Sequence, residues 1–281
     1  MTATADSSRP ISAQPAAATQ APLPALGRRP LFLRPALQAR VDADGPALRV
    51  RAERRAETRF PLDRVSRIVA SARVNWSADA LRACLERAIP IVIVTADGAP
   101  LGSIQPARVG ASRLAEALEE LLDWPDWRDI HDCWLRAARM RVLAEWRRAR
   151  EAEGAAPDPR VYQDLVKRYL YPAKTAPVKA AMRGIWCGAV YALATETAQR
   201  WGVPGVMWGS EGDAIDLRRD LADLMELRLR LEVREEAEGS LKGEATMLLV
   251  FHALTKKLEL EAARAMRSFA RRVNEVLSGC R

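Results

Sequence analysis

A helical pattern of apolar residues, which begins near Ala111 and continues almost to the C-terminus, constrains the fold most. Apolar side chains recur there every three to four positions, and Ala, Leu, Arg and Glu, which favour helices, dominate the segment. Proline and glycine residues mark the ends of the helices. The predicted helices are 113–122, 127–153, 160–170, 177–201, 213–238 and 244–277. Residues 110–281 are therefore predicted to form a helical domain.

Residues 30–105 show a different pattern, in which short runs rich in β-branched residues alternate with turns. The turn Asp44-Gly45-Pro46 lies between two such runs and predicts a hairpin. Ser77 is a predicted N-cap for a single helix over 78–87, and Ile91–Val94 is a predicted strand. We therefore expect an α+β protein, in which a small β-rich domain precedes a larger helical domain.

The first 28 residues are rich in Ala, Pro, Ser, Thr and Gln and show no periodicity, so a disordered tail is predicted. No apolar run reaches membrane-spanning length, and the N-terminus does not resemble a signal peptide, so we expect an intracellular, cytoplasmic protein that does not bind membranes.

The four cysteines form no CxxC pair, which argues against a zinc site or a disulfide framework. Most of them are predicted to be buried, reduced thiols. These cysteines are Cys84, Cys133, Cys187 and Cys280.

The chain carries 44 Lys and Arg residues against 36 Asp and Glu residues, which gives a net charge of +8. Such an excess attracts polyanions, although a GC-rich genome would also enrich arginine. Residues 136–150 contain six arginines, and four of them fall on one arc of the predicted helix. These four predicted nucleic-acid-binding residues are Arg136, Arg139, Arg147 and Arg150. A second basic run covers residues 264–272. For either run alone, a solvent-exposed face with salt bridges is a simpler interpretation than binding to phosphates.

Several segments resemble one known family in order and spacing. Residues 60–69 (FPLDRVSRIV), 74–77 (VNWS), 89–94 (IPIVIV) and 97–102 (DGAPLG) are similar to the N-terminal β-domain of the CRISPR-associated spacer-acquisition integrases. In the helical half, 176–193 resembles a helix of that family in which Lys179 stands in place of an asparagine. Residues 201–208 resemble the segment that ends in the family's metal-binding histidine, and 220–224 resembles the helix that carries its metal-binding aspartate.

The resemblance implies a site in which a glutamate, a histidine and an aspartate hold Mg²⁺ or Mn²⁺. Asp220 matches the aspartate, and Glu153 is the candidate glutamate, with Glu145 as a second choice. Trp208 stands twelve residues before Asp220, where the family has its histidine. An indole has no free nitrogen lone pair and cannot coordinate a metal ion, so this site is predicted to be degenerate, with Asp220 and Glu153 left to hold Mg²⁺ or Mn²⁺ if the protein is active.

The leading hypothesis is accordingly a DNA-binding subunit of CRISPR adaptation with impaired catalysis. By resemblance, its β-domain forms a homodimer, its helical domain holds a prespacer-like duplex or repeat DNA, and its partner is a small ferredoxin-like adaptation subunit. No cofactor other than the metal is expected, because no phosphate-binding or dinucleotide-binding glycine motif is present.

Two alternatives stay open. The first is an active Mg²⁺- or Mn²⁺-dependent endonuclease and integrase, because carboxylates at helical spacing can bind these ions without histidine. The carboxylates concerned are Asp213, Asp216, Asp220 and Asp223. Acidic residues in a first helical turn also favour the helix dipole, which explains them without a metal. The second alternative is a structural helical protein that does not bind DNA. His131 and His252 match no ligand position and are predicted to be surface or core residues.

Overall fold

A computed structural model describes eight stretches of the chain: 28–33, 38–53, 55–106, 112–171, 185–204, 206–208, 214–233 and 244–279. The predicted disordered tail therefore lies outside the described residues, apart from Arg28. The strands are β1 (Arg29–Leu33), β2 (Ala39–Asp44), β3 (Ala47–Ala52), β4 (Thr58–Pro61), β5 (Val65–Ser71), β6 (Asn75–Trp76), β7 (Ile91–Val94), β8 (Pro100–Ile104), β9 (Met207–Trp208) and β10 (Ala214–Ile215). The helices are α1 (Ala78–Glu86), α2 (Arg113–Leu122), α3 (Trp127–Ala152), α4 (Pro159–Leu170), α5 (Ile185–Arg200), α6 (Leu217–Glu232) and α7 (Glu244–Gly279).

The first eight strands form two four-stranded sheets. One sheet has the order β1-β5-β7-β8, in which the first three strands are parallel and β8 is antiparallel to β7. The other has the order β4-β3-β2-β6 and contains the predicted hairpin, with Asp44 opposite Ala47. Gly45 has φ +57° in this turn, a conformation that glycine adopts without strain. Apolar side chains from both sheets, including Val41, Leu48 and Ile68, form a fully buried core.

Helix α5 connects the β-rich part to the helical part. Its residue Ala192 packs against Val69, Val92 and Val94 of the mainly parallel sheet. Gly188 permits this close approach, because a Cβ at that position would lie 2.5 Å from Cγ1 of Val94. On its other sides α5 contacts α6 and α7, and the shared core of the helical part includes Trp134, Trp186, Met225, Phe251 and Phe269.

The predicted α+β fold is confirmed, and most predicted helices agree with the structure within one residue. The prediction for 213–238 is wrong at its start, because Ala214 and Ile215 form a strand and the helix begins at Leu217. The Asp216 side chain sets this start by accepting hydrogen bonds from the backbone N–H groups of Arg218 and Arg219. The first eight residues of the predicted helix 177–201, and the segment 234–240, lie outside the described residues.

Two sequence expectations concern cysteines and membranes. Cys84 is buried as expected, but Cys133 is exposed on α3 and Cys187 is half-buried, so burial is not general; Cys280 lies outside the described residues. Among the helices that the structure describes, none combines the length and the hydropathy that crossing a bilayer requires.

Candidate functional site

The first turn of α6 lies against the first turns of α3. Asp220 of α6 is next to His131 of α3, Asp223 is next to Arg139, and Leu231 accepts a 3.0 Å hydrogen bond from the indole N–H of Trp146. Because these contacts advance together along both helices, α3 and α6 run parallel. Their N-terminal ends therefore lie at the same end of the helical part.

Asp220 and His131 form a close, largely buried pair. The His131 Nε2 atom lies 3.0 Å from Oδ2 of Asp220, and the side chains are 11% and 15% exposed. The imidazole also contacts two aromatic rings, with centroids 5.6 Å away for Trp134 and 5.9 Å away for Phe269. With Nε2 protonated, the imidazole donates to the carboxylate, which gives Asp220 a fixed partner.

Sequence reasoning treated His131 as a core or surface histidine and missed this contact. The two residues are 89 positions apart, and no motif connects them. Only the packing of α3 on α6, which depends on the tertiary fold, brings them together.

The candidate glutamates are not near this pair. Glu153 caps the far end of α3, 22 residues after His131, and this places it about 33 Å away along the helix. Its carboxylate binds Arg150 at 2.8 Å instead. Glu145 lies 3.8 Å from Arg228, which is two turns beyond Asp220 on α6. Neither glutamate is thus brought to Asp220 by the described structure.

Trp208 lies on a short ribbon that leads into α6. Strand β9 pairs with β10 in an antiparallel register that places Trp208 opposite Ala214, two residues before the N-cap Asp216. The Trp208 residue is 71% exposed, so its indole does not fill a core position. An exposed indole near the start of α6 is able to stack on a nucleic-acid base.

The other aspartates of the predicted acidic face have different environments. Asp216 caps α6 and contacts the Arg218 side chain at 3.1 Å, whereas Asp213 lies outside the described residues. Burial raises the pKa of the Asp223 carboxyl to about 6, and the neighbouring Glu226 and Asp220 add to this rise, while Arg139 opposes it. About half of the Asp223 side chain (48%) is nevertheless exposed.

Asp220, Trp208 and Glu153 do not form a binding site for the divalent ion that the family resemblance implies. Within the stretches that the structure describes, no three His, Cys, Asp or Glu side chains converge in a way that could hold a metal. Asp220 contributes one carboxylate, but Trp208 has no lone pair to donate and Glu153 lies at the opposite end of α3.

The predicted arginine arc on α3 is partly covered by α4. Arg139 is only 19% exposed and donates to the backbone oxygen of Tyr169. Arg147 lies over the ring of Tyr162, 5.1 Å from its centroid, and pairs with Glu151. Arg150 pairs with Glu153, while the exposed Arg136 donates to the backbone oxygen of Asp132. All four arginines thus have intramolecular partners, and three of them, Arg139, Arg147 and Arg150, pair with an acidic side chain.

Two β-sheets joined through α5 to a helical part define an α+β architecture, and solved structures share it. A CAS1 protein from Thermotoga maritima is 11% identical, with a TM-score of 0.58 over 77% of this chain and 81% of that chain. TtCas1 is 13% identical, with a TM-score of 0.58 over 86% of this chain and 97% of that chain. A casposase bound to integration product is 12% identical, with a TM-score of 0.52 over 87% and 82%. At these identities the similarity shows a common fold.

The sequence gives independent support. The model of the family described as CRISPR associated protein Cas1 matches residues 37–152, from the β2 region to the end of α3. No curated protein sequence matches the chain significantly. Over residues 37–152 the chain is therefore similar to the Cas1 family, and the solved structures above share its fold.

Proposed function

We propose that this protein is a DNA-binding subunit of CRISPR adaptation that neither cuts nor joins DNA at Asp220. The observation that carries the proposal is the His131–Asp220 pair: the carboxylate that corresponds to the family's metal-binding aspartate is held by an imidazole. Trp208 stands on the ribbon where a metal-binding histidine would be expected, and its exposed ring favours base stacking over coordination.

Binding to DNA rests on different support. The chain carries a net charge of +8, which favours sequence-independent contacts to phosphates. A TtCas1–DNA complex, 14% identical with a TM-score of 0.54 over 86% of this chain and 91% of that chain, shares the fold. By the same family relationship, we propose that the β-rich part forms a homodimer and that a small ferredoxin-like adaptation subunit is the protein partner.

The test compares DNA binding with DNA cleavage. Purified protein is incubated with a branched duplex carrying a free 3′-hydroxyl, with Mg²⁺, with Mn²⁺ or with EDTA. We expect gel-shift binding in all three conditions and no nicked or joined products. A Cas1 protein with a complete glutamate, histidine and aspartate set provides the positive control for the assay.

The Asp220→Asn variant provides the matched control within this chain. An asparagine oxygen can still accept from His131, so the fold and DNA binding should be retained. Metal-dependent nicking or joining that is lost in Asp220→Asn would overturn the proposal and establish an active integrase. Failure to bind duplex DNA at low salt would instead support the structural, non-DNA-binding alternative.

A further inference from the structure

Helix α7 has two chemically distinct faces. One face is buried in the helical core and includes Phe251, Leu258, Phe269 and Val273. The opposite face carries four exposed cations at steps of eight, three and four residues, which share one side of a helix. We call these residues the basic face of α7: Lys256, Arg264, Arg267 and Arg271.

Acidic side chains neutralise this face only weakly. Arg264 lies 3.4 Å from Glu145, and Arg271 lies 3.7 Å from Glu275, but both arginines are at least half exposed, and such surface pairs are weak. Lys256 and Arg267 have no acidic partner in the part of the chain that the structure describes. The basic face is therefore available to a negatively charged ligand.

Two further acids of this helix, Glu259 and Glu261, point away from the basic face. Glu261 is buried and pairs with Arg141 at 2.7 Å, and Glu259 faces Arg67 at 3.9 Å. The sequence alone could not show this separation, because Glu259 and Glu261 lie close to the basic run. The structure assigns them to the inner sides of α7.

The dimensions and the chemistry of this face suit a nucleic-acid backbone. The 16 residues from Lys256 to Arg271 span about 22 Å, the length of about six to seven base pairs of duplex. A membrane surface fits less well, because interfacial helices insert an apolar face and that of α7 is already buried. On the outer side, the exposed large apolar residues of α7 are Leu249 and Leu260.

We propose that the basic face of α7 binds the phosphate backbone of duplex DNA. This inference rests on the proposed DNA-binding function and assigns it to a surface. It also places the main contacts on α7 instead of on the arginine arc of α3, where the side chains of Arg139 and Arg150 are only 19% and 23% exposed.

The test neutralises three arginines on each helix. The α7 variant carries Arg264→Gln, Arg267→Gln and Arg271→Gln, and the matched control carries Arg136→Gln, Arg147→Gln and Arg150→Gln. Affinity for a duplex of several helical turns is measured by fluorescence anisotropy across a series of salt concentrations. Because each phosphate contact contributes about 0.9 to the slope of log K against log salt, the α7 variant should lose about 2 to 3 from that slope.

The α7 variant should also bind at least about tenfold more weakly, whereas the control should lose much less in both quantities. Thermal unfolding checks that both variants are folded, which we expect because the substituted α7 side chains are exposed. If the α7 triple variant is unstable, the double variant Lys256→Gln and Arg267→Gln replaces it, since neither residue has a described acidic partner. That variant should lose about 2 from the slope.

The outcomes separate this inference from the proposed function. If the unmodified protein binds duplex and the α7 variant retains the full salt slope, the inference is overturned while DNA binding stands. An equal loss in both triple variants also overturns it, because it indicates a general charge effect. If only phosphatidylglycerol vesicles are bound through the basic face, both this inference and the proposed function fail.

Discussion

At the scale of single residues, the His131–Asp220 pair determines what the first turn of α6 can do. A carboxylate that is only 15% exposed needs a partner, because an unpaired buried charge is costly. His131 supplies that partner, and Trp134 and Phe269 hold its ring in place. Asp220 is therefore part of the packing between α3 and α6.

Replacing His131 tests this structural role. We expect His131→Ala to lower the free energy of unfolding by about 2 to 4 kcal/mol, because it leaves Asp220 unpaired and opens a cavity beside two aromatic rings. Urea unfolding measures the change. The exposed histidine on α7 supplies the control, and His252→Ala should change stability by less than about 0.5 kcal/mol. A His131→Ala variant as stable as His252→Ala would contradict the role given to the pair.

Asp223 gives the site a pH dependence. Its pKa in the folded protein is about 6 and thus lies above the ordinary value of 3.8. The stability that protonated Asp223 contributes is therefore complete below about pH 3.8 and is lost as the pH rises through about 6. NMR titration of the Asp223 carboxyl carbon should show a midpoint near 6.

The Asp223→Asn variant checks the sign of this effect. Because asparagine does not ionise, the variant should be more stable than the unmodified protein above pH 6, and the difference should vanish below pH 4. With 48% of the side chain open to water, screening should keep the gain below about 1 kcal/mol. A titration midpoint near 4, or a variant that is less stable at pH 7.5, would contradict the assignment.

At the scale of elements, sequence periodicity predicts helices well where local chemistry also sets their ends. Helix α2 has the predicted bounds, because the Ser112 side chain accepts from the backbone N–H of Leu114 and so caps it. The two-residue strands β9 and β10 could not be predicted in this way, since an alternating pattern needs a longer run. The hydrogen-bonded pairing of β9 with β10 is what makes these residues strands.

The arginine arc on α3 shows a second limit of prediction from sequence. A helical wheel correctly places its arginines on one side of α3, but it does not show which neighbour packs there. Helix α4 has an apolar side of its own, and Tyr162, Leu165 and Val166 pack against Val142 and Leu143 of α3. The sequence alone therefore could not show that a tertiary contact between two amphipathic helices covers part of this arc.

The candidate site could be predicted from the sequence only in part. The resemblance to the integrase family indicated Asp220 and Trp208 as the positions of interest near the start of α6. The order of residues could not show that Glu153 ends α3 at the far end of the helical part, or that His131 approaches from another helix. These two facts depend on the parallel packing of α3 and α6.

At the scale of the whole molecule, a buried ion pair joins the β-rich part to the helical part. Arg67 of β5 is 2% exposed and lies 2.5 Å from Glu196 of α5, which also binds Arg200. The second acid near Arg67 is Glu259 of α7, at 3.9 Å. Arg67 therefore connects the parallel sheet with two helices. Loss of Glu196 would leave Arg67 with the more distant Glu259, whereas loss of Arg67 would leave Glu196 paired with Arg200.

A double-mutant cycle measures this connection. Glu196→Gln should destabilise the protein by about 3 to 5 kcal/mol, because the buried Arg67 would keep, among the described residues, only Glu259 as a charged partner at 3.9 Å. Arg67→Met should cost less, since Glu196 keeps Arg200. The double variant should be more stable than the sum of the two losses predicts, by about 1 to 3 kcal/mol, because no unpaired buried arginine remains.

The exposed pair on α1 is the matched control for this cycle. Arg82 and Asp79 are 2.7 Å apart and more than two-thirds exposed, so the cycle of Arg82→Met and Asp79→Asn should give a coupling of less than about 0.5 kcal/mol. Urea unfolding followed by both circular dichroism and tryptophan fluorescence supplies the free energies. If Arg67 and Glu196 prove as weakly coupled as Arg82 and Asp79, the ion pair does not hold the sheet to α5. The junction would then depend on other contacts, such as the packing of Ala192 against Val69, Val92 and Val94.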